Sequence, residues 1–166
     1  MTTFPPLEIL TDLLTYCSET GHFIWNKNMK GSVKAGAVAG SRHSRGYTTI
    51  RVNGVDFLAH RLAFYISGQE INDDLHIDHI NGNKTDNRLC NLRIATFSEN
   101  NQNIAVKKNS KTGYKGVCFD AKRNLYRARV RARNKVHWVG YFKTPEDAHA
   151  AYCETAAKLH GLFHRP

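Results

Sequence analysis

Cysteine is scarce and scattered. The 166-residue chain holds four, Cys17, Cys90, Cys118 and Cys153, and no two form a C-x-x-C pair, so the ligand spacing of a zinc ribbon or finger is absent. Thiols so far apart are also too few for a disulfide scaffold, and they read as free cysteines of a reducing cytosol. No apolar run approaches the ~20 residues of a membrane span, and no basic stretch followed by an apolar segment opens the chain. A cytoplasmic protein without a membrane partner is the expectation. Glycine and proline number twelve and four, which leaves out collagen-like and low-complexity classes. What remains is a globular composition, 41% apolar and 23% charged with a mean hydropathy of −0.50. It suits one ordinary domain or two small ones.

Carboxylates are thin at one end. Residues 107–166 hold four Asp/Glu against fourteen Lys/Arg, whereas residues 1–106 hold ten of each. The formal charge of +10, with a sequence pI near 9.6, therefore sits wholly in the C-terminal part. An excess of this size points to a polyanionic partner, and its placement to two modules with different tasks.

Leu7, Leu10, Leu13 and Leu14 space as one face of a short helix behind Pro5-Pro6. Residues 22–25 read as a strand, and residues 26–46, rich in Gly, Ser, Lys and Asn, as a long loop. Residues 47–52 and 55–59 flank Asn53-Gly54, the pair that supplies both positive-φ residues of a type I′ hairpin turn. Residues 60–67 read as a helix stopped by Gly68. Residues 107–113, with three lysines and no apolar side chain, read as an exposed linker. Beyond it three short strands are expected, over 116–119, 125–133 and 136–142, and then a helix. Thr144 can cap that helix, Pro145 fits its first position, Glu146 and Asp147 suit the positive end of its dipole, and Gly161 ends it. Ala148, Ala151, Tyr152, Ala156 and Leu159 make its apolar face.

The densest polar chemistry lies between. His76-Ile77-Asp78-His79-Ile80-Asn81-Gly82-Asn83 is followed by Asn87-Arg88-Leu89-Cys90-Asn91-Leu92-Arg93, and then by Ser98-Glu99-Asn100-Asn101-Gln102-Asn103. A β-prone stretch carries Asp-His, a polar loop with Asn-Gly follows, and a second β-prone stretch, residues 92–96, leads into a helix that carries the Asn cluster. Strand, loop, strand and helix can bring both ends of such a segment together. The segment resembles the HNH endonuclease family, and most closely its phage and mobile-intron branch, on Asp78, His79, Ile80, Gly82, Asn83, Asn87, Arg88, Asn91, Leu92 and Arg93. Asn91 lies twelve positions after His79 and Asn100 nine positions after Asn91, which suits the family's spacing.

The resemblance implies a ββα fold around one divalent metal per active site, Mg²⁺ or Mn²⁺, with no small-molecule cofactor. It implies His79 as general base, since an imidazole of ordinary pKa near 6.5 can take a proton from water at cellular pH. It implies Asp78 and Asn100 as oxygen ligands of a hard cation that keeps several waters. In many relatives the last ligand is His, where this chain has Asn100. Asn91 would hold the loop and so orient His79. Taken singly, the residues have plainer readings: Asp-His as a surface pair, Asn-Gly-Asn as a turn, Asn91 as a turn residue and Asn100 as a solvated helix residue. His76 shares Asp78's face on a regular strand and is a rival ligand. Asp78 and His79 face the same way only if the strand bends or ends there.

In the C-terminal part Arg127, Arg129, Arg131 and Arg133 alternate with Tyr126, Ala128, Val130 and Ala132. At ~6.6–6.8 Å per two residues, the guanidinium groups would line a ribbon of about 20 Å, with the small apolar face turned to the helix. Like charges so placed repel, and phosphates or guanine edges relieve the repulsion. A solvated basic face is the plainer alternative. Residues 113–162 resemble the AP2/ERF DNA-binding domain through Tyr114-Lys115-Gly116-Val117, the strand from Tyr126 to Arg131, Trp138-Val139-Gly140-Tyr141-Phe142, Thr144, Glu146, Ala148, Ala151-Tyr152 and Ala156-Ala157. The resemblance implies a three-stranded antiparallel sheet packed on one helix that reads the DNA major groove. Lys115, Arg127, Arg129, Arg131 and Trp138 would be its contacts, and Arg133 joins them by the alternation. For Trp138, packing against the helix is the alternative. Cys118 stands where plant members often carry Arg, so their base preference does not transfer.

The expected fold class is thus α+β. A β-rich N-terminal lead-in and a ββα-metal HNH core at about 74–105 make a nuclease domain of residues 1–106. A linker at 107–113 and an AP2-like domain at 114–166 follow. The expected function is a metal-dependent endonuclease acting on double-stranded DNA as a monomer or homodimer. It would be of homing type or another phage nuclease, working in the cytoplasm of a bacterial host. The rivals are a non-catalytic, sequence-specific DNA-binding regulator with a decayed nuclease fold, and an RNA-binding basic protein.

Overall fold

Two prolines ahead of Leu7 fix φ and leave the helix to begin behind them. Helix α1 accordingly spans Leu7–Leu13 in the computed structural model, which describes residues 4–71, 75–103, 106, 110–133 and 135–163. The chain divides into two units, residues 1–95 and residues 96–166.

In the first unit Leu14 already belongs to β1 (Leu14–Tyr16), so the leucine face expected on one helix is shared by two elements. Leu10 and Leu14 are buried, while Leu7 is exposed. Strand β1 pairs antiparallel with β2 (Phe23–Trp25), and β2 with β3 (Val38–Ala39). A second sheet has the order β4 (Ser41–Arg42), β5 (Thr48–Val52), β6 (Val55–Leu58). The stretch 26–46 is therefore not wholly loop. Strands β3 and β4 lie in it, each too short for a hydrophobic period to register.

The β5–β6 hairpin closes as its sequence requires. Val52 faces Val55, and Asn53 and Gly54 take φ of 50° and 83° between them, the left-handed pair of a type I′ turn. Alternation sends Ile50, Val52 and Phe57 inward and Arg51 outward. Helix α2 (Ala59–Ile66) buries Ala59, His60, Leu62, Ala63 and Phe64. Phe23, Leu10, Leu14, Ile50, Leu62 and Val52 are fully buried in this core, and the larger ones each stabilise the unit by roughly 1.5–3 kcal/mol. Strands β7 (His76–His79) and β8 (Leu92–Ala95) pair antiparallel, joined by a loop and one 3-10 turn at Leu89–Asn91, and Leu92 joins this core.

The second unit opens with α3 (Phe97–Gln102), started by a reciprocal cap in which Thr96 and Glu99 satisfy each other's backbone N–H. Strands β9 (Val117–Asp120), β10 (Leu125–Ala132) and β11 (Lys135–Phe142) form an antiparallel sheet with β10 central. Helix α4 (Pro145–His160) lies on it, with the Thr144 side chain accepting the Asp147 N–H and Pro145 in the first turn. Ala148, Tyr152 and Ala156 recur every four residues and pack on Val117, Ala128 and Val130. Small side chains on both surfaces let the helix approach the sheet closely.

Residues 107–109 of the expected linker lie outside the described residues, and Thr112 at its end is tied to the sheet through Thr112 Oγ1 donating to Val117 O at 3.0 Å. Arg133 does not continue the β10 ribbon. The strand ends at Ala132, and Arg133 takes φ 48°, a left-handed turn conformation that breaks the two-residue alternation. None of the four cysteines is in a disulfide.

Candidate active site

Strand β7 stops at the residue pair that matters. Asp78 faces Arg93 across the ladder and His79 faces Leu92, so the two neighbours point to opposite sides, as pleating demands. Asp78 is 6% exposed. Arg93 donates to its Oδ2 from Nε at 2.9 Å and from the guanidinium end at 2.7 Å. His79 is 4% exposed and turns toward the core side. His76, one alternation away from Asp78, is exposed.

The loop after His79 is held shut by Asn91. Its backbone O accepts from Ile80 N at 2.9 Å, its Oδ1 accepts from Asn81 N at 3.0 Å, and its Nδ2 donates to Asp86 O at 2.8 Å. One amide thus ties the first residues of the loop to the last. Inside, Asn81 Nδ2 donates to Asp86 Oδ2, and Asn81 Oδ1 and Asn83 Oδ1 accept from backbone N–H groups two residues on. Arg88 completes the frame on Asp86 at 2.7 and 2.8 Å and holds that carboxyl down to about 2. Gly21, with φ +73°, fits against the end of the loop, where a Cβ would lie 2.5 Å from Arg88 N and 2.6 Å from Asn87 C. Only glycine lets the β1–β2 turn close on the loop this tightly.

Asn87 decides the protonation geometry of His79. Its Nδ2 donates to Thr85 O at 3.3 Å, so its Oδ1 faces His79 Nε2, also at 3.3 Å. An amide oxygen only accepts, so Nε2 carries the hydrogen and Nδ1 the lone pair. Burial lowers the pKa of His79, against the Asn87 hydrogen bond and the charges of Asp78 and Asp86. The ring is therefore neutral at neutral pH.

Sequence reasoning missed two neighbours. His60, from the first turn of α2, sets its edge against the His79 ring at 4.9 Å and 76°. Tyr47 lies 5.2 Å from His60 and 6.1 Å from His79. No spacing rule links these residues to the Asp-His motif, because only tertiary packing unites them. Burial drives the His60 pKa down to about 3, with His79 adding to the effect. In the unfolded chain His60 would protonate near 6.5, so between those values the unfolded state binds the extra proton. Its contribution to stability is complete above pH ~6.5 and is lost toward pH 3, at up to about 1.4 kcal/mol per unit. Thermal midpoints measured from pH 7 down to 4 are expected to fall, and His60→Gln to fall less steeply. Equal slopes would acquit His60.

Residues 57–102 match the family model described as HNH endonuclease, and residues 112–162 match the AP2 domain. Protein 3.8 of Escherichia phage T7 is 35% identical over 92 residues, which cover 54% of this chain and 74% of that protein. The chain belongs to the HNH endonuclease family. An uncharacterized HNH endonuclease of Acanthamoeba polyphaga mimivirus is 34% identical over 97 residues, 58% of this chain and 49% of that protein. No solved structure matches the chain. The two domains together make this HNH protein a nuclease or DNA-binding protein, with DNA as its partner.

Among the described residues no group of three or more His, Cys, Asp or Glu is arranged to hold a metal ion. The buried Asp78 carboxylate and the Asn100 amide are oxygen donors, which suits a hard cation that needs few protein ligands. The structure places Asp78, His79 and Asn91 in the first unit, with Asp78 and His79 on opposite sides of β7 and Asn91 bonded to the loop that follows His79. Asn100 falls on α3, in the second. No described helix is long and apolar enough to cross a membrane.

On the AP2 domain of this HNH protein, Ala128, Val130 and Ala132 are buried while Arg129 and Arg131 are exposed. Arg127 is half-buried, with Nε lacking a hydrogen-bond partner. A bulge shifts the register, so that Ala128 faces Gly140 and Arg129 faces Trp138. Trp138 is 55% exposed and shares the arginine face, its ring 4.9 Å from that of Tyr141. Lys115 lies in the turn before β9 and is half-buried.

Proposed function

We propose that this protein is a divalent-metal-dependent DNA endonuclease whose general base is Nδ1 of His79. The observation that carries the reading is the bond between Asn87 Oδ1 and His79 Nε2, which leaves a neutral imidazole with its lone pair on the other nitrogen. Nδ1 takes the proton of the attacking water, and Asn87 keeps the ring in that tautomer. Asn91 acts at a distance, by holding the loop that carries Asn87. Asp78 and Asn100 would hold one Mg²⁺ or Mn²⁺. When bound, the ion neutralises charge developing on the phosphate and on the leaving 3′ oxygen. The products are a 5′-phosphate and a 3′-hydroxyl.

Functionally we divide the chain into a nuclease part, residues 1–106, a linker at 107–113 and a DNA-holding part at 114–166. With one active site per chain, a monomer nicks and a homodimer would cut both strands. The phage relative and the motif's likeness to the mobile-intron branch support a homing-type or other phage nuclease. The test is nicking of supercoiled plasmid in Mg²⁺, with EDTA as the control. Plasmid that stays intact in Mg²⁺ would leave a DNA-binding regulator instead.

In the DNA-holding part, Lys115, Arg127, Arg129, Arg131 and Trp138 form the contact set, without Arg133, which leaves the ribbon. The double variant Arg129→Ala/Arg131→Ala is expected to weaken duplex binding at least about tenfold, given ~1–3 kcal/mol per good arginine–base pair. Fluorescence anisotropy in EDTA measures it, and unchanged affinity at low salt would remove the sheet from the interface.

A further inference from the structure

The balanced charge of residues 1–106 conceals a basic segment. Residues 27–61 contain seven Lys/Arg and one Asp/Glu, and the acidic residues that offset them lie elsewhere in sequence. Two of those cations are paired, Lys27 with Asp12 at 2.6 Å and Arg51 with Asp56 at 3.4 Å. Arg42 and Arg45 have no carboxylate partner among the described residues.

The fold carries both to the active-site loop. Between β4 and β5 the chain turns tightly, with His43 N donating to Tyr47 O at 2.7 Å and Gly46 N to His43 O at 2.8 Å. That turn meets the loop after His79 through Lys84, whose Nζ donates to Arg45 O at 3.1 Å and lies 4.5 Å from the centre of the Tyr47 ring. An open cleft of about 480 Å³ runs between the turn and the loop, lined by Arg42, Lys84, small residues and hydroxyl groups, with no carboxylate. Tyr47 connects it to the base, with its ring 6.1 Å from that of His79.

A groove that is open, lined by cations and free of acid does not enclose a small anion. It suits a continuous chain of phosphates passing along it. We propose that this cleft is a DNA-backbone site of the nuclease unit, in which Arg42, Arg45 and Lys84 bind phosphates of the strand flanking the bond to be cut. That the strand held here is the one cut rests on the nuclease reading above; that the cleft holds DNA does not. The turn therefore positions substrate at His79 independently of the AP2 sheet.

The test uses the full chain and a fluorescent duplex in EDTA, so that binding is read without cleavage. Each phosphate that the protein no longer neutralises takes about 0.9 off the slope of log affinity against log salt concentration. Arg42→Ala/Arg45→Ala is expected to flatten the slope by about 1.8, and the triple variant with Lys84→Ala by up to about 2.7. Arg42→Lys/Arg45→Lys should keep the slope of the natural chain, because charge and not shape is required. A slope unchanged in the triple variant overturns the site, and so does equal flattening by the lysine variant, which would mark a structural effect. Plasmid nicking in Mg²⁺ separates the two ideas. No nicking with a flattened slope sinks the nuclease reading and keeps the DNA site, whereas normal nicking with an unchanged slope sinks the site alone.

Discussion

Replacing His79 with alanine is expected to slow single-turnover plasmid nicking by about 10²–10⁴-fold, the usual contribution of a positioned general base. Duplex binding in EDTA should not change. His79 is buried, so it adds nothing to a surface that DNA touches first. The arginines proposed to hold DNA belong to other elements. Asn87→Ala should act in the same direction but less, because it frees the tautomer without removing the ring. Its signature is a fall in rate at saturating DNA with the half-saturating concentration unmoved. The pH profile carries a further sign. Protonated imidazole cannot accept a proton, so rate rises as pH rises through the His79 pKa. Burial lowers that pKa, which puts the midpoint of the rising limb below the ordinary 6.5. A nearby divalent cation would push it further the same way. A rising limb centred above 7, or normal nicking by His79→Ala, would remove His79 from the role of base.

Much of this architecture is written in local pattern. Asn53-Gly54 between alternating strands, Thr144-Pro145 ahead of an alanine face and the Arg-Ala-Arg-Val alternation of β10 each depend on neighbours within one element. Chain order alone carries strand, loop, strand and helix from His76 to Gln102. What local pattern does not carry is register and tertiary contact. Asp78 meets Arg93 because β7 and β8 pair with Asp78 opposite Arg93, and a slip of one residue would put them on opposite faces. His60, on α2, and Tyr47, just ahead of β5, reach His79 only through tertiary packing. The bulge at Val139 decides that Trp138 lies opposite Arg129, and a single left-handed residue takes Arg133 off the ribbon. The charge count misled for a related reason. Ten cations and ten anions in residues 1–106 sum to zero, but the fold lines one cleft with Arg42 and Lys84 and bonds Lys84 to the backbone of Arg45.

Arg93→Ala should be among the most destabilising single changes in the first unit, by up to about 3–5 kcal/mol, because it removes the guanidinium that the buried Asp78 carboxylate is paired with. Both partners are shielded, with side-chain exposure of 15% for Arg93 and 7% for Asp78, so water does little to replace the lost guanidinium. The double variant Asp78→Ala/Arg93→Ala should be more stable than Arg93→Ala alone, since it removes the charge together with its partner. Magnesium gives an independent check. If Asp78 holds the ion, Mg²⁺ supplies the positive charge that Arg93 no longer does. It should then raise the thermal midpoint of Arg93→Ala more than that of the natural chain. Calorimetry with and without millimolar Mg²⁺ reads this without any DNA or turnover. Equal shifts in both proteins would mean that the ion, wherever it binds, does not rest on Asp78.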